Sequence, residues 1–118
     1  MEQGYIKGDI VVYDNGIHTI MDALGLNNYE LSYIGHPVHQ LELSGVPITP
    51  EILEKNGWKK DKEGYINDSY HLHLCGKYDG YSVYKVVNDN VVWLTGVRNV
   101  SDLQHLLFGL GINHEMEV

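Results

Sequence analysis

Turn signals recur at short intervals along this sequence, and they limit the possible folds more than any other feature. Clusters of glycine, asparagine, aspartate, serine or proline punctuate the whole chain. They are Asn15-Gly16, Asn27-Asn28, Gly35-His36-Pro37, Ser44-Gly45, Asn56-Gly57, Asp79-Gly80 and Asn88-Asp89-Asn90. The segments between them are mostly too short for long helices and suit β-strands joined by tight turns. The spacing therefore predicts a chain of hairpins with few helices.

The N-terminal part predicts four strands in succession. Asp9–Tyr13 and Ile17–Met21 flank Asn15-Gly16, and Asn-Gly is a strong hairpin signal because both turn residues adopt positive φ. Tyr29–Ile34 and Val38–Leu43 are the next two candidates, and the second alternates in the manner of a strand with one buried face. Four short consecutive strands predict an SH3-like β-meander or barrel.

One short helix is marked in the middle of the chain. Thr49 is a suitable N-cap, and Pro50 occupies the first helical position, where a missing N–H costs nothing. Asn56-Gly57 provides the stop. The pattern predicts a helix from Pro50 to Lys55 or Asn56.

The last part of the chain predicts a second antiparallel β-region followed by a helix. The candidate strands are Tyr65-Ile66, Tyr70–Cys75, Tyr81–Val87 and Val91–Thr95. Ser101 and Gln104 have the spacing of a capping box, which starts a helix at about Asp102. Its leucines, which repeat at amphipathic spacing, are Leu103, Leu106, Leu107 and Leu110.

These segments together predict a single α+β domain over residues 1–118. We expect the β-meander at 1–46, the short helix and its turn at 47–58, the second β-region with the C-terminal amphipathic helix at 59–112, and a tail at 113–118.

Composition restricts the class of function. The net charge is −8, from 16 acidic and 8 basic residues, which argues against nucleic-acid binding because phosphate affinity comes largely from Lys and Arg. Cys75 is the single cysteine, so no internal disulfide forms and a reducing compartment is expected. The first residues lack the pattern of a secretion signal, and no apolar run approaches the ~20 residues of a membrane span. We expect a cytoplasmic protein that does not bind membranes.

Three residues raise the possibility of a metal site. His71, His73 and Cys75 alternate, so they would share one face of a strand. Consecutive side chains on one face lie roughly 7 Å apart, so three in a row do not converge easily on one ion. The favoured interpretation is a half-buried strand with a polar outer face, with His71 and His73 as weak metal candidates. No catalytic residue and no cofactor are predicted, and phosphate-loop and nucleophile-elbow motifs do not occur.

A ligand-binding set is the more specific hypothesis. Arg98 is the only arginine, and with Ser101 at the predicted helix N-terminus it could bind an anionic group. Aromatic side chains on strands could stack a planar ring, although they are also good strand formers. The candidate stacking residues are Trp93, Tyr84, Tyr81 and Tyr33.

Three segments carry a likeness to known proteins: the opening hairpin Gly8–Gly16, the proline-led helix region Gly45–Trp58, and Val100–Leu110. They resemble a family of small proteins encoded by phages, prophages and mobile elements of gut Bacteroides. In the third segment, Ser101 or Asp102 stands where histidine is common in relatives. The resemblance implies a phage-related origin in a bacterial host and brings no catalytic residue.

These observations leave three possible functions open. The first is a non-enzymatic binding protein, expected to be a homo-oligomer, that sequesters a small nucleotide-derived immune signal in the manner of viral sponge proteins. The second is an acidic inhibitor that binds a host protein, or mimics nucleic-acid charge. The third, a minority hypothesis, is a small hydrolase or lyase that destroys the signal with His71 and His73.

Overall fold

The computed structural model describes residues 4–77 and 80–118. It is a mixed α+β structure with two antiparallel sheets and few helices, as predicted. The chain divides into two compact units, each described separately below. The first unit comprises the residues up to Val46 and Val100–Glu115, and the second comprises Pro47–Asn99 and Met116–Val118. The single domain inferred from the sequence stays a prediction.

The first unit contains a five-stranded antiparallel sheet in the order β4-β3-β2-β1-β5. Its strands are β1 (Ile10–Tyr13), β2 (Gly16–Gly25), β3 (Asn28–Leu31), β4 (Val38–His39) and β5 (Ser44–Gly45). The first four strands form the predicted meander. In the described part of the chain this sheet is open, with β4 and β5 as its two edges, so the barrel is not confirmed.

The opening hairpin turns one residue earlier than the sequence predicts. Asp14 and Asn15 are the turn residues, with φ of 48° and 64°, while Gly16 pairs with Tyr13 inside the strand. Asp and Asn tolerate this left-handed conformation because their short side chains bond locally to the backbone. The hairpin itself is therefore confirmed and its turn register is corrected.

The strand predicted over Val38–Leu43 is wrong after His39. Residues Gln40–Glu42 form a 3-10 turn instead. The His39 ring Nδ1 accepts from the Leu41 N–H at 3.1 Å, and a Glu42 carboxylate oxygen accepts from the His39 N–H at 3.1 Å. These local bonds stabilise a turn that the alternating pattern concealed, and Leu41 is left 90% exposed.

The second unit contains the short helix and the other five-stranded antiparallel sheet, in the order β10-β9-β8-β7-β6. Its elements are α1 (Pro50–Lys55), β6 (Lys59–Lys60), β7 (Gly64–Asn67), β8 (Leu72–Lys77), β9 (Gly80–Val87) and β10 (Asn90–Val97). Thr49 Oγ1 accepts from the Ile52 N–H at 3.3 Å, which confirms the predicted cap. The turn predicted at Asp79-Gly80 includes Tyr78 and Asp79, which lie outside the described residues.

Helix α2 (Val100–Gly109) belongs to the first unit and starts earlier than predicted. Ser101 therefore lies within the first turn rather than at the cap, so the capping box is wrong. Leu103 and Leu107 are buried, but Leu110 and Phe108 are exposed, so the amphipathic pattern is not confirmed over its full length. None of the described helices is long and apolar enough to cross a membrane.

Gln104 of α2 joins three separate segments of the first unit. Its side chain is fully buried. Nε2 donates to the Gly8 carbonyl at 2.8 Å and to the His114 carbonyl at 2.9 Å, while Oε1 accepts from the Ile10 N–H at 2.9 Å. One carboxamide therefore satisfies three backbone groups and attaches both chain ends of this unit to α2.

Replacing Gln104 with leucine should lower the free energy of unfolding by about 3 kcal/mol, because three backbone groups lose their partner. Urea unfolding followed by circular dichroism measures the loss. The matched control is Gln40→Leu, which removes the acceptor of one part-buried hydrogen bond from the Tyr29 hydroxyl and should cost about 1 kcal/mol. Equal losses in the two variants would contradict the role given to Gln104.

Candidate functional site

Five side chains form a row across the second sheet. The strand register pairs Lys59 with Ile66, Ile66 with His73, His73 with Tyr84, and Tyr84 with Trp93. Directly opposed residues of antiparallel strands project to the same side of a sheet. We call these five residues the cross-strand row; with strands spaced about 4.8 Å apart, it extends roughly 19 Å.

The cross-strand row lies on the more exposed face of this sheet. Leu74 and Val83, which alternate with row residues along β8 and β9, are at most 1% exposed and mark the buried face. On the face of the row, His73 and Tyr84 are half-buried, and Trp93 is 59% exposed. A large aromatic side chain this exposed, at the β10 end of the row, is available to a ligand.

Val86 and Val91 extend the apolar character of this face. They pair with each other across β9 and β10, and each lies two residues from a member of the cross-strand row. Val91 is 60% exposed. The surface thus grades from apolar and aromatic at Trp93 to a primary amine at Lys59.

This arrangement contains two stacking groups, Trp93 and Tyr84, beside an imidazole. Indole and phenol faces stack planar rings, and His73 can donate a hydrogen bond to an anionic group. Lys59 adds a positive charge at the β6 edge. The row therefore has the chemistry to hold a planar ring and an attached anionic group.

Two of the predicted ligand residues, Trp93 and Tyr84, are brought together in this row. Tyr81 lies three positions from Tyr84 and so projects to the opposite face, where its ring meets Tyr65 edge-to-face at 6.4 Å. Arg98 follows the end of β10, five residues or about 16 Å of strand beyond Trp93. The row does not include Tyr81 or Arg98.

The other two predicted ligand residues belong to the first unit. Ser101 is 5% exposed inside α2, while Tyr33 is 100% exposed with φ of 64°. Since Arg98 and Ser101 fall in different units, the anion site inferred from them stays a prediction.

The alternation of His71, His73 and Cys75 is interrupted. His71 precedes β8 with φ of 56°, and its carbonyl accepts from the Val86 N–H at 2.9 Å. The strand begins at Leu72, so only His73 and Cys75 share its face. Within residues 4–77 and 80–118, no group of three or more His, Cys, Asp or Glu side chains is placed to hold a metal ion.

A buried acid–histidine pair occurs in the first unit. Asp9 is fully buried, and its Oδ2 accepts from the Ile6 N–H at 2.9 Å and from His105 Nε2 at 2.5 Å. The hydrogen bond to Asp9 raises the pKa of His105, burial opposes the rise, and the charges of Asp9 and Asp102 add to it. When His105 carries its proton, the pair places a positive charge beside a carboxylate that is removed from water.

Sequence reasoning missed this pair because its members are 96 positions apart. It also missed Lys59 and Ile66 of the cross-strand row, since nothing in a sequence states which residues face each other across strands. The alternation around His73 is visible in the sequence, but by itself it predicts only a metal site or a polar outer face.

The chain was compared with protein-family models, with curated proteins and with solved structures, and none of the three comparisons gives a match.

Below pH ~6.5, the ordinary histidine pKa, the Asp9–His105 pair should contribute its full stability. Because the folded pKa of His105 is raised, that contribution should be lost as the pH rises through it. The difference in unfolding free energy between the wild type and His105→Gln should therefore be larger at pH 6 than at pH 9. Urea unfolding at both pH values measures it, and a difference that does not change with pH would contradict the assignment.

Proposed function

We propose that this chain is a non-enzymatic protein that binds a nucleotide-derived small molecule on the cross-strand row. The observation that carries the proposal is the direct opposition of His73, Tyr84 and Trp93 on three neighbouring strands. Their strand pairing fixes the spacing of three ring systems before any ligand arrives. A preformed surface of this kind lowers the ordering cost of binding.

Stacking supplies most of the expected affinity. Contact of one base with an aromatic side chain contributes about 1–3 kcal/mol. Trp93 offers the largest and most exposed ring, and Tyr84 stands beside it. Every nucleobase has a flat face, so stacking on Trp93 and Tyr84 selects nucleobases as a class. The polar groups around these rings would determine which nucleotide binds.

The charges around the row favour a small anionic ligand over a polynucleotide. Lys59 and His73 can each donate a hydrogen bond to a phosphate oxygen. The chain as a whole carries a net charge of −8, which repels a long phosphate backbone. A ligand with one or two phosphates needs only these few local donors.

The resemblance to phage-encoded proteins suggests which ligand such a protein would bind. In that setting the ligand is an immune signal of the bacterial host, and binding withdraws it without chemical change. The SH3-like description of the first sheet and the homo-oligomer belong to the same proposal. Strand β10 is the outermost strand of its sheet, and an outermost strand can pair with a second copy.

Replacing Trp93 with alanine should weaken binding of the responding ligand about tenfold, because one stacking surface is lost. Titration of the intrinsic tryptophan fluorescence with cyclic dinucleotides and ADP-ribose derivatives identifies that ligand in the wild type. Trp58 is 3% exposed, so the quenching reports on Trp93. Calorimetry then gives the affinity of each variant.

Two variants serve as controls for this experiment. Trp93→Phe keeps an aromatic face and should retain most of the affinity, while Val92→Ala alters the next residue of β10, which projects to the other face. Equal weakening by Val92→Ala and Trp93→Ala would argue against the row. Recovery of a chemically altered ligand would show that the protein is an enzyme and would contradict the proposed binding function.

Replacing Lys59 with alanine should weaken binding most at low salt, because the interaction with phosphate is electrostatic and screened by ions. The adjacent Lys60 pairs with Tyr65 on the opposite face, so Lys60→Ala is a control of equal charge. Affinities measured at low and high salt should converge for Lys59→Ala and the wild type as salt rises. If both lysine variants show the same salt response, the effect is general charge attraction, and Lys59 makes no specific contact with the ligand.

A host protein is the second candidate partner. The exposed Val91, Val92 and Trp93 of β10 form an apolar outer strand of a kind that binds extended segments of other proteins. Absence of a response to every nucleotide, together with capture of one host protein that Trp93→Ala fails to bind, would favour this candidate over the nucleotide.

A further inference from the structure

A pocket lies in the first unit, and no member of the cross-strand row is among its lining residues. Its volume is about 550 Å³, within the range of small-molecule sites. Four stretches of chain line it: the segment before β1, the middle of β2, the end of α2, and the residues after that helix. The apolar lining residues are Ile6, Ile20, Met21 and Phe108.

Hydrogen bonds hold these walls in place. The Gly8 N–H donates to the Ile20 carbonyl at 2.8 Å, and Gln104 binds the carbonyls of Gly8 and His114. His114 Nε2 donates to the Lys7 carbonyl at 3.0 Å. The pocket is therefore built by the fold and does not depend on an ordered ligand to form.

Two large apolar side chains at the pocket are left exposed. Phe108 is 59% exposed and Met21 46% exposed. The Phe108 ring packs edge-to-face against the His114 ring, with 5.2 Å between their centroids, and this contact orients Phe108 at the side of the pocket. A ligand seated here would remove this apolar surface from water at about 25 cal/mol per Å².

We infer that this pocket binds a compact, uncharged or zwitterionic organic molecule with an apolar ring. The lining includes one cationic residue, Lys7, and one anionic residue, Glu115, so no single charge sign dominates its rim. Such a rim does not select a polyphosphate. The methionine, isoleucine and phenylalanine side chains of the lining instead favour contact with an apolar part of a ligand. The flexible methionine side chain can adapt to the shape of that part.

This site is independent of the proposed nucleotide function. Its lining residues all belong to the first unit, whereas the cross-strand row belongs entirely to the second. The ligand class also differs, since the row favours an anion and the pocket a neutral molecule. Failure of either proposal leaves the other intact.

The test uses N-phenyl-1-naphthylamine, a neutral apolar probe whose fluorescence rises on leaving water. The full chain should bind it saturably with one site. Phe108→Ala and Met21→Ala should each weaken binding about tenfold by removing wall contacts. Leu24→Ala is the matched control, because Leu24 is an equally exposed residue of β2 that does not line the pocket, and its affinity should stay at the wild-type value.

Chemical-shift changes in the side-chain methyl groups provide the second measurement. On adding the probe, the methyl signals of Ile6, Ile20 and Met21 should shift while those of Val86 and Val91 on the second sheet stay in place. Wild-type protein without saturable binding, or a Leu24→Ala loss as large as that of Phe108→Ala, would overturn the inference. So would sedimentation that shows a dimer for the wild type and a monomer for Phe108→Ala, because a second copy of the chain would then cover Phe108.

Discussion

The first unit depends on a small set of buried polar contacts made by α2. Gln104 satisfies backbone groups of Gly8, Ile10 and His114, and the neighbouring His105 binds the buried carboxylate of Asp9. Hydrogen bonds made in a dry interior have strict geometry, and breaking one leaves a costly unpaired group. Helix α2 therefore does more than cover the apolar side chains of β1. It determines where the segment before β1 and the residues after the helix run, and these segments are two of the walls of the pocket.

The second unit uses a different kind of constraint, which is strand register. One pairing scheme across β6 to β10 places Lys59, Ile66, His73, Tyr84 and Trp93 on one face, and the buried Leu74 and Val83 on the other. A shift of one residue in any pairing would move a member of the row to the buried face. The burial of Leu74 and Val83 resists such a shift, so the core residues hold the exposed row in register.

Each unit thus presents a surface with its own ligand chemistry. The row combines flat rings with one positive charge, Lys59, at its other end, and the pocket combines apolar walls with a rim of balanced charge. In both surfaces, the side chains that would contact a ligand are held in place by neighbouring residues that also stabilise the fold. In the binding roles that we propose, the affinity comes from shape, stacking and charge rather than from a reacting side chain.

Local signals in the sequence determined the class of fold, the cap at Thr49, the position of the hairpins and the presence of the C-terminal helix. These features depend on residues within a few positions of each other, and intrinsic conformational preference acts at that range. Where two local preferences competed, as at Val38–Leu43, the capping bonds of His39 and Glu42 overrode the alternation. Only the tertiary structure decided that Trp93 meets Tyr84 and His73, and that Asp9 pairs with His105. Strand register and the position of a helix are set by the joint burial of residues distant in sequence, which no single segment encodes.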